Sequence, residues 1–213
     1  MKSDIAPRPR PRGRPREFDE TKALDLAVEV FWRLGYEGAS VADLTGAMGI
    51  TAPSLYAAFG SKEGLYRRVL ERYQQGPGAH TWLALTEEPT ARGAIERVLR
   101  ESARAFTRRK QPPGCMISTG VLRCAEAHQP VADLVAGLRS NAVKLVRERI
   151  ARGIAAGELP SETDAGALAR YFGAVVQGMS IQAQDGASEA ELLGLVEVAM
   201  RAWNGGAGRP RAR

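Results

Sequence analysis

The sequence predicts an all-α protein: a small N-terminal helical unit followed by a larger helical domain. Three observations predict it. Apolar residues recur at helical spacing through the body of the chain, and no alternating segment is long enough to suggest a sheet. Polar cap residues and glycines punctuate that pattern at helix-length intervals. A hydrophobic content of 44% over 213 residues is ample for a packed core.

Residues 1–16 alternate proline with arginine, which prevents a helix and gives no core, so a disordered, extended basic arm is expected there. From Asp19 the pattern changes. Ala23, Ala27, Val30, Phe31 and Leu34 predict a helix over roughly 19–34, with Gly35 placed to end it. Ser40 with Asp43 reads as the start of a short second helix carrying Leu44, Ala47 and Met48 and closed by Gly49. Thr51 caps a third, with Pro53 in its first turn, Leu55 and Phe59 on its inward face and Gly60 at its end. Ser61 caps a fourth, with Leu65, Val69, Leu70 and Tyr73 on one face.

Two short helices joined by a glycine turn inside such a unit form a helix-turn-helix. The unit is expected over residues 17–75. Gly76, Pro77 and Gly78 mark a bend or broken helix between Gln74 and Pro89 and a domain boundary. A second domain, residues 76–204, then reads as helical throughout. Ile95, Val98, Leu99, Ser102 and Phe106 mark one helix, ending before Pro112. Val131 to Ala156 marks a long one. Ser161 to Asp164 opens another, reaching about Gln184, and Ser188 to Glu191 opens a last one ending at Trp203. Residues 205–213 form a basic tail.

The net charge of +6 sits in the two ends: residues 1–16 carry +5 and residues 209–213 carry +3, leaving −2 for the body. That distribution suits arms that track phosphates. The two cysteines are too few for a secreted disulfide scaffold, and neither a signal peptide nor an 18-residue apolar run is present. A cytoplasmic protein with no membrane partner is expected. Enzyme chemistry has no footing: there is no phosphate-binding glycine loop, nucleophile elbow or HExxH, and His80 and His128 belong to no catalytic constellation.

The stretch from Thr45 to Leu65, TGAMGITAPSLYAAFGSKEGL, resembles the DNA-binding signature of the TetR family, keeping the glycines and the spacing of Leu55, Tyr56, Phe59 and Lys62. The resemblance covers about residues 19–70; beyond them it extends only to helix number and length. It implies a homodimer on a double-stranded DNA operator, with no cofactor and an unidentified small-molecule inducer bound in the C-terminal helices. It also implies that Tyr56 and Lys62 hold backbone phosphates. The helix N-termini near Ser40 and Ser61 are further phosphate donors. Base reading falls to Thr51, Ala52, Pro53, Ser54 and Ala57, a set without Arg, Asn or Gln, so apolar contacts and DNA shape must carry part of the specificity. Arg12 and Arg14, in Pro11-Arg12-Gly13-Arg14-Pro15-Arg16, resemble the core of an AT-hook that enters a narrow A·T minor groove. The alternative is a basic tail adding only non-specific attraction.

The last two helices are apolar on more than one side. From this and the resemblance, Val175, Met179, Leu192, Leu195, Val196, Met200 and Trp203 are expected at the dimer interface. Phe106, Cys115, Met116, Leu122, Tyr171, Phe172 and Met179 are the candidates for contact with the inducer, each equally explicable as plain core. One alternative is metal: Cys115, Cys124 and His128, with Met116, form a soft set suited to Cu(I), loosely resembling a copper-responsive branch of the family. Against it, free cysteines commonly serve as small hydrophobes. The rival to a ligand-released repressor is an architectural DNA protein that coats without sequence preference, but this leaves the large C-terminal domain without a purpose.

Overall fold

The structure is a computed structural model that describes residues 19–205; Arg12, Arg14 and the rest of the arm, with the end of the basic tail, lie outside the described residues. The described residues form nine α-helices and no strand.

Helix α1 (Glu20–Gly38) opens on Asp19, whose carboxylate accepts from the Lys22 amide at 3.0 Å. Gly35 interrupts it at φ +71°, a conformation that a Cβ would strain, and one further turn follows. The glycine thus ends the first segment as its position implies, although Leu34 beside it is exposed rather than inward-facing. Helix α2 (Val41–Met48) carries the reciprocal Ser40–Asp43 cap and stops at left-handed Gly49. Helix α3 (Ala52–Phe59) starts from Thr51 with a proline in its first turn, and α4 (Lys62–Gln75) starts from Ser61.

The expected bend is a turn over residues 76–79 followed by a short helix, α5 (His80–Glu87). Helix α6 (Ala91–Phe106) follows Thr90, and an irregular segment then leads through a 3-10 turn (Glu126–His128) into α7 (Gln129–Ala155). Pro130 lies in the first turn of α7, where its missing N–H costs nothing, and does not terminate a helix there. Asp164, accepting from the Gly166 and Ala167 amides at 2.9 Å, caps α8 (Ala165–Gln184); α9 (Glu189–Gly205) completes the fold.

Two hydrophobic clusters fill the interior. One joins α5 to α9 around Ile95, Leu99, Ile150, Phe172, Met179 and Leu192. The other joins α1 to α4 but also takes in Met116, Val121, Val131 and Val135. Packing is therefore continuous across residue 75: the helix-turn-helix unit rests on the segment before α7 and on the first turns of α7. Its rigidity has local causes. Phe31 meets Tyr66 edge-on at 4.8 Å, and each large side chain buried in this way contributes about 1.5–3 kcal/mol. At the surface, Arg72 makes a two-pronged pair with Asp25 and Arg68 reaches Glu20, tying α4 to α1.

Cys115 is pinned to α8, since its amide donates to the Ser180 hydroxyl at 2.8 Å. Gly114 precedes it at φ +76°, with room for no Cβ: one would lie 2.7 Å from the Ser180 carbonyl oxygen. This contact closes the irregular segment over the body and shapes the space beneath it.

Candidate nucleic-acid interface

Leu55 and Phe59 turn inward from α3, fully and almost fully buried. Their four-residue spacing fixes which side of the helix remains outside: Thr51, Pro53, Ser54, Tyr56 and Ala57 are exposed, and Ala52 is half-buried. The candidate base-reading residues thus share one open face. The helix carries no charged residue, and the Thr51 and Ser54 hydroxyls lie 2.9 Å apart in mutual hydrogen bonding, so the face is apolar with one small polar corner.

Tyr56 projects from this face, about half exposed. Lys62, at the start of α4, lies half-buried with its Nζ 4.5 Å from the centre of the Tyr36 ring. Desolvation there lowers the ammonium's pKa, while the Glu37 carboxylate acts in the opposite direction. Ser40 is exposed, but its backbone N–H donates to the Asp43 carboxylate at 2.9 Å. That carboxyl is held below its usual range by the Ser40 hydroxyl and amide. A phosphate at the start of α2 would therefore meet the amides of the following residues rather than that of Ser40.

A cavity of about 280 Å³ lies behind this unit, between it and the larger domain. Of the candidates for contact with the inducer, Phe106, Cys115 and Phe172 line it. Met116, Leu122, Tyr171 and Met179 do not. Met116 is buried in the cluster of the N-terminal unit, Met179 is enclosed in the body's core, and Leu122 and Tyr171 are exposed to solvent. Among the lining residues that sequence reasoning did not name as candidates are Trp32 of α1, Tyr73 of α4 and Ser102 of α6. Ser102 had a signal, as a hydroxyl in an otherwise apolar inward stripe. Trp32 and Tyr73 had none, because they belong to the helices that hold the DNA-reading unit. Burial pushes the Tyr73 phenol's pKa far up, and it donates to Cys115 Sγ at 3.3 Å.

The expected dimer residues divide in two. Met179, Leu192, Val196, Met200 and Trp203 are buried in their own chain's core, so that part of the expectation is corrected: the stripe that looked in need of a partner faces α6 and α8. Val175 and Leu195 are only partly covered. Tyr171, Ile181 and Val198 are exposed large hydrophobic residues on the same two helices, α8 and α9.

The metal alternative is corrected as well. Among the described residues no group of three or more His, Cys, Asp or Glu side chains is placed to hold a metal ion. Cys124 lies before the 3-10 turn rather than sharing a helix face with His128. His128 Nδ1 is hydrogen-bonded to Glu37 Oε1 at 2.7 Å, and Cys115 is engaged by Tyr73.

The family model of the bacterial regulatory proteins of the tetR family matches residues 23–69, and that of the tetracyclin repressor-like C-terminal domain matches residues 89–192. The transcriptional repressor ComR of Escherichia coli is 34% identical over 90% of this chain and 92% of its own length. The chain belongs to the TetR family. A second relative, the transcriptional repressor BdcR of Escherichia coli, is 32% identical over 84% of this chain and 86% of its own length. Among solved structures, a cysteine mutant of the TetR regulator CifR, complexed with 26-base-pair double-strand operator DNA, is 44% identical over 89% of this chain and all of its own, with a TM-score of 0.86. As a TetR-family member the chain is a helix-turn-helix, DNA-binding transcriptional regulator and not an enzyme. Among the described residues no helix is long and apolar enough to cross a membrane.

Proposed function

We propose that this TetR-family regulator is a homodimeric repressor that binds a palindromic operator and is released by a small molecule held in the cavity behind its DNA-reading unit. One observation carries the reading: α4 packs on the recognition helix and on α1, and the same two helices, α4 and α1, line the cavity through Tyr73 and Trp32. Lys62 and Tyr73 are eleven residues apart on α4, about 16 Å along the axis at ~1.5 Å per residue. A ligand that repositions Tyr73 tilts the helix whose first turn carries Lys62. In a dimer this disturbs the separation of the two recognition helices, which must match half-sites about 34–36 Å apart. The ligand acts by population shift, favouring the conformer with mismatched spacing.

The repressor names of ComR and BdcR, and the operator complex of CifR, support repression through operator binding. Tyr56 and Lys62 anchor phosphates, the open face of α3 meets base edges, and Arg12 and Arg14 of the arm supply an A·T preference in the flanking minor groove. The outer face of α8 and α9 pairs two copies. Such a protein works beside the chromosome, in the cytoplasm.

The test is a footprint followed by release. A short protected palindrome is expected, and a small hydrophobic molecule should free it from the wild type but not from Ala105→Phe, whose ring grows from α6 into the cavity. Unbounded coating of DNA without a preferred site would overturn the proposal. So would release of the filled variant at the wild-type ligand concentration.

A further inference from the structure

Two residues that line this cavity each carry a buried polar atom with no partner among the described residues. Trp32 Nε1 and Ser102 Oγ are both buried and both without a hydrogen bond, in side chains that are 8% and 0% exposed. Leaving buried donors unpaired costs stability, and an apolar residue at either place would avoid the cost. Ser102 makes the point sharply. It occupies the inward stripe of α6 between Leu99 and Phe106, where alanine would pack equally well.

We propose that these two groups form the polar subsite of the cavity, and that its ligand is an uncharged, largely apolar molecule whose hydrogen-bond-accepting oxygen they receive. The inference rests on the reading above that the cavity holds the releasing ligand. An indole N–H only donates, so whatever it meets must accept; a hydroxyl can do either. The charge of the ligand follows from the rest of the lining. Among the described residues no Asp or Glu lines the cavity to neutralise a cation. Arg139 is the only charged one in the lining among the described residues, and its Nη1 is already engaged by the Ile117 and Gly120 carbonyls at 3.2 and 2.7 Å. A volume of about 280 Å³ is at the lower limit of ordinary ligand pockets, about 300–1,000 Å³. The two groups also stand on different parts of the fold. Trp32 belongs to the DNA-reading unit and Ser102 to the body, so a ligand held by both is sensitive to how one sits on the other.

Three probes of nearly equal size separate the chemistries: acetophenone, cumene, in which a methyl replaces the carbonyl oxygen, and benzoate. Affinities measured by calorimetry for the wild type, Trp32→Phe and Ser102→Ala give the answer. Acetophenone is expected to bind the wild type, and the ratio of its affinity to that of cumene should fall roughly fivefold to tenfold in each variant. Trp32→Phe keeps a ring against Tyr73, and Ser102→Ala removes an unpaired hydroxyl, so the melting temperature of the ligand-free alanine variant should not fall. An unchanged ratio in both variants, tighter binding of benzoate than of acetophenone, or no binding of acetophenone would each overturn the inference. Operator release is scored in parallel. Acetophenone binding that leaves the operator occupied would remove the release reading and leave the subsite standing; release by cumene or benzoate alone would do the reverse.

Discussion

Lys62 holds its ammonium over the ring of Tyr36, and that same ring makes a T-shaped contact with His128, 5.2 Å between centroids, just before α7. The proposed phosphate anchor is thus fixed to the junction between the DNA-reading unit and the body. Replacing Lys62 by Met keeps apolar cover on Tyr36 and removes the charge. Operator affinity should drop for all sequences alike, and the slope of log affinity against log salt should decrease by about one. Anisotropy titrations across a salt series measure this; an unaltered slope would show that Lys62 meets no phosphate.

Tyr56 offers the complementary test, because it touches DNA in this proposal without touching the cavity. Tyr56→Phe removes one hydroxyl and should weaken operator binding roughly threefold to tenfold, as expected for ~0.5–1.5 kcal/mol, while the ligand affinity of the free protein stays constant. A comparable loss of ligand binding would contradict the division of labour between the two halves.

The junction also predicts a pH response. The Glu37 carboxyl is held below its ordinary value of 4.5, first by the hydrogen bond from His128, then by the Ala125 amide and by the charges of His128 and Lys62. A carboxylate with a lowered folded-state pKa stabilises the fold fully above its unfolded value, and this stabilisation disappears as the pH falls through the lowered one. The stability difference between wild type and Glu37→Gln should therefore shrink as the pH drops below about 4.5. Denaturant melts from pH 3 to pH 7 would reveal it; a pH-independent difference would refute the linkage.

The helix-turn-helix was legible because its signals are local. Ser40 with Asp43, Thr51 with Ser54, and glycines at Gly49 and Gly60 each act within a turn of the chain. The Leu55 and Phe59 spacing then determines the exposed face without reference to any other element. The cavity was legible only in part, since an apolar residue at helical spacing has the same signature whether it faces a core or a space. Leu122 and Met116 stand in an irregular segment where periodicity says nothing. Trp32 and Tyr73 reach the cavity from the other unit, a relationship set by packing between distant parts of the chain.

A buried clamp holds the start of α6 onto α7. Arg149, only 5% exposed, donates to the Glu88 carbonyl at 3.2 Å and lies 3.9 Å from Glu158, whose other carboxylate oxygen accepts from the Ala91 amide at 2.6 Å. Arg149 is the buried member and Glu158 is exposed, so Arg149→Ala removes a charged hydrogen bond to the Glu88 carbonyl and should cost about 1.5–3 kcal/mol in denaturant unfolding. A loss below about 1 kcal/mol, the range of an exposed pair, would mean that solvent reaches the clamp.

The apolar residues of α9 make the last prediction, because only their placement in the fold separates core from interface. Trp203 and Met200 are buried within their own chain, so truncating Trp203 to Ala should cost about 3–5 kcal/mol of stability, whatever the oligomeric state. Val198 on α9 is 59% exposed, Ile181 on α8 is also exposed, and the outer face proposed to pair two copies is built from such residues. If two copies pair through that face, Val198→Glu places two carboxylates near a two-fold axis, where like charges oppose association. Sedimentation should then show a folded monomer with an undiminished helical circular dichroism signal and weakened operator binding. A Val198→Glu protein that remains a dimer would place the interface elsewhere.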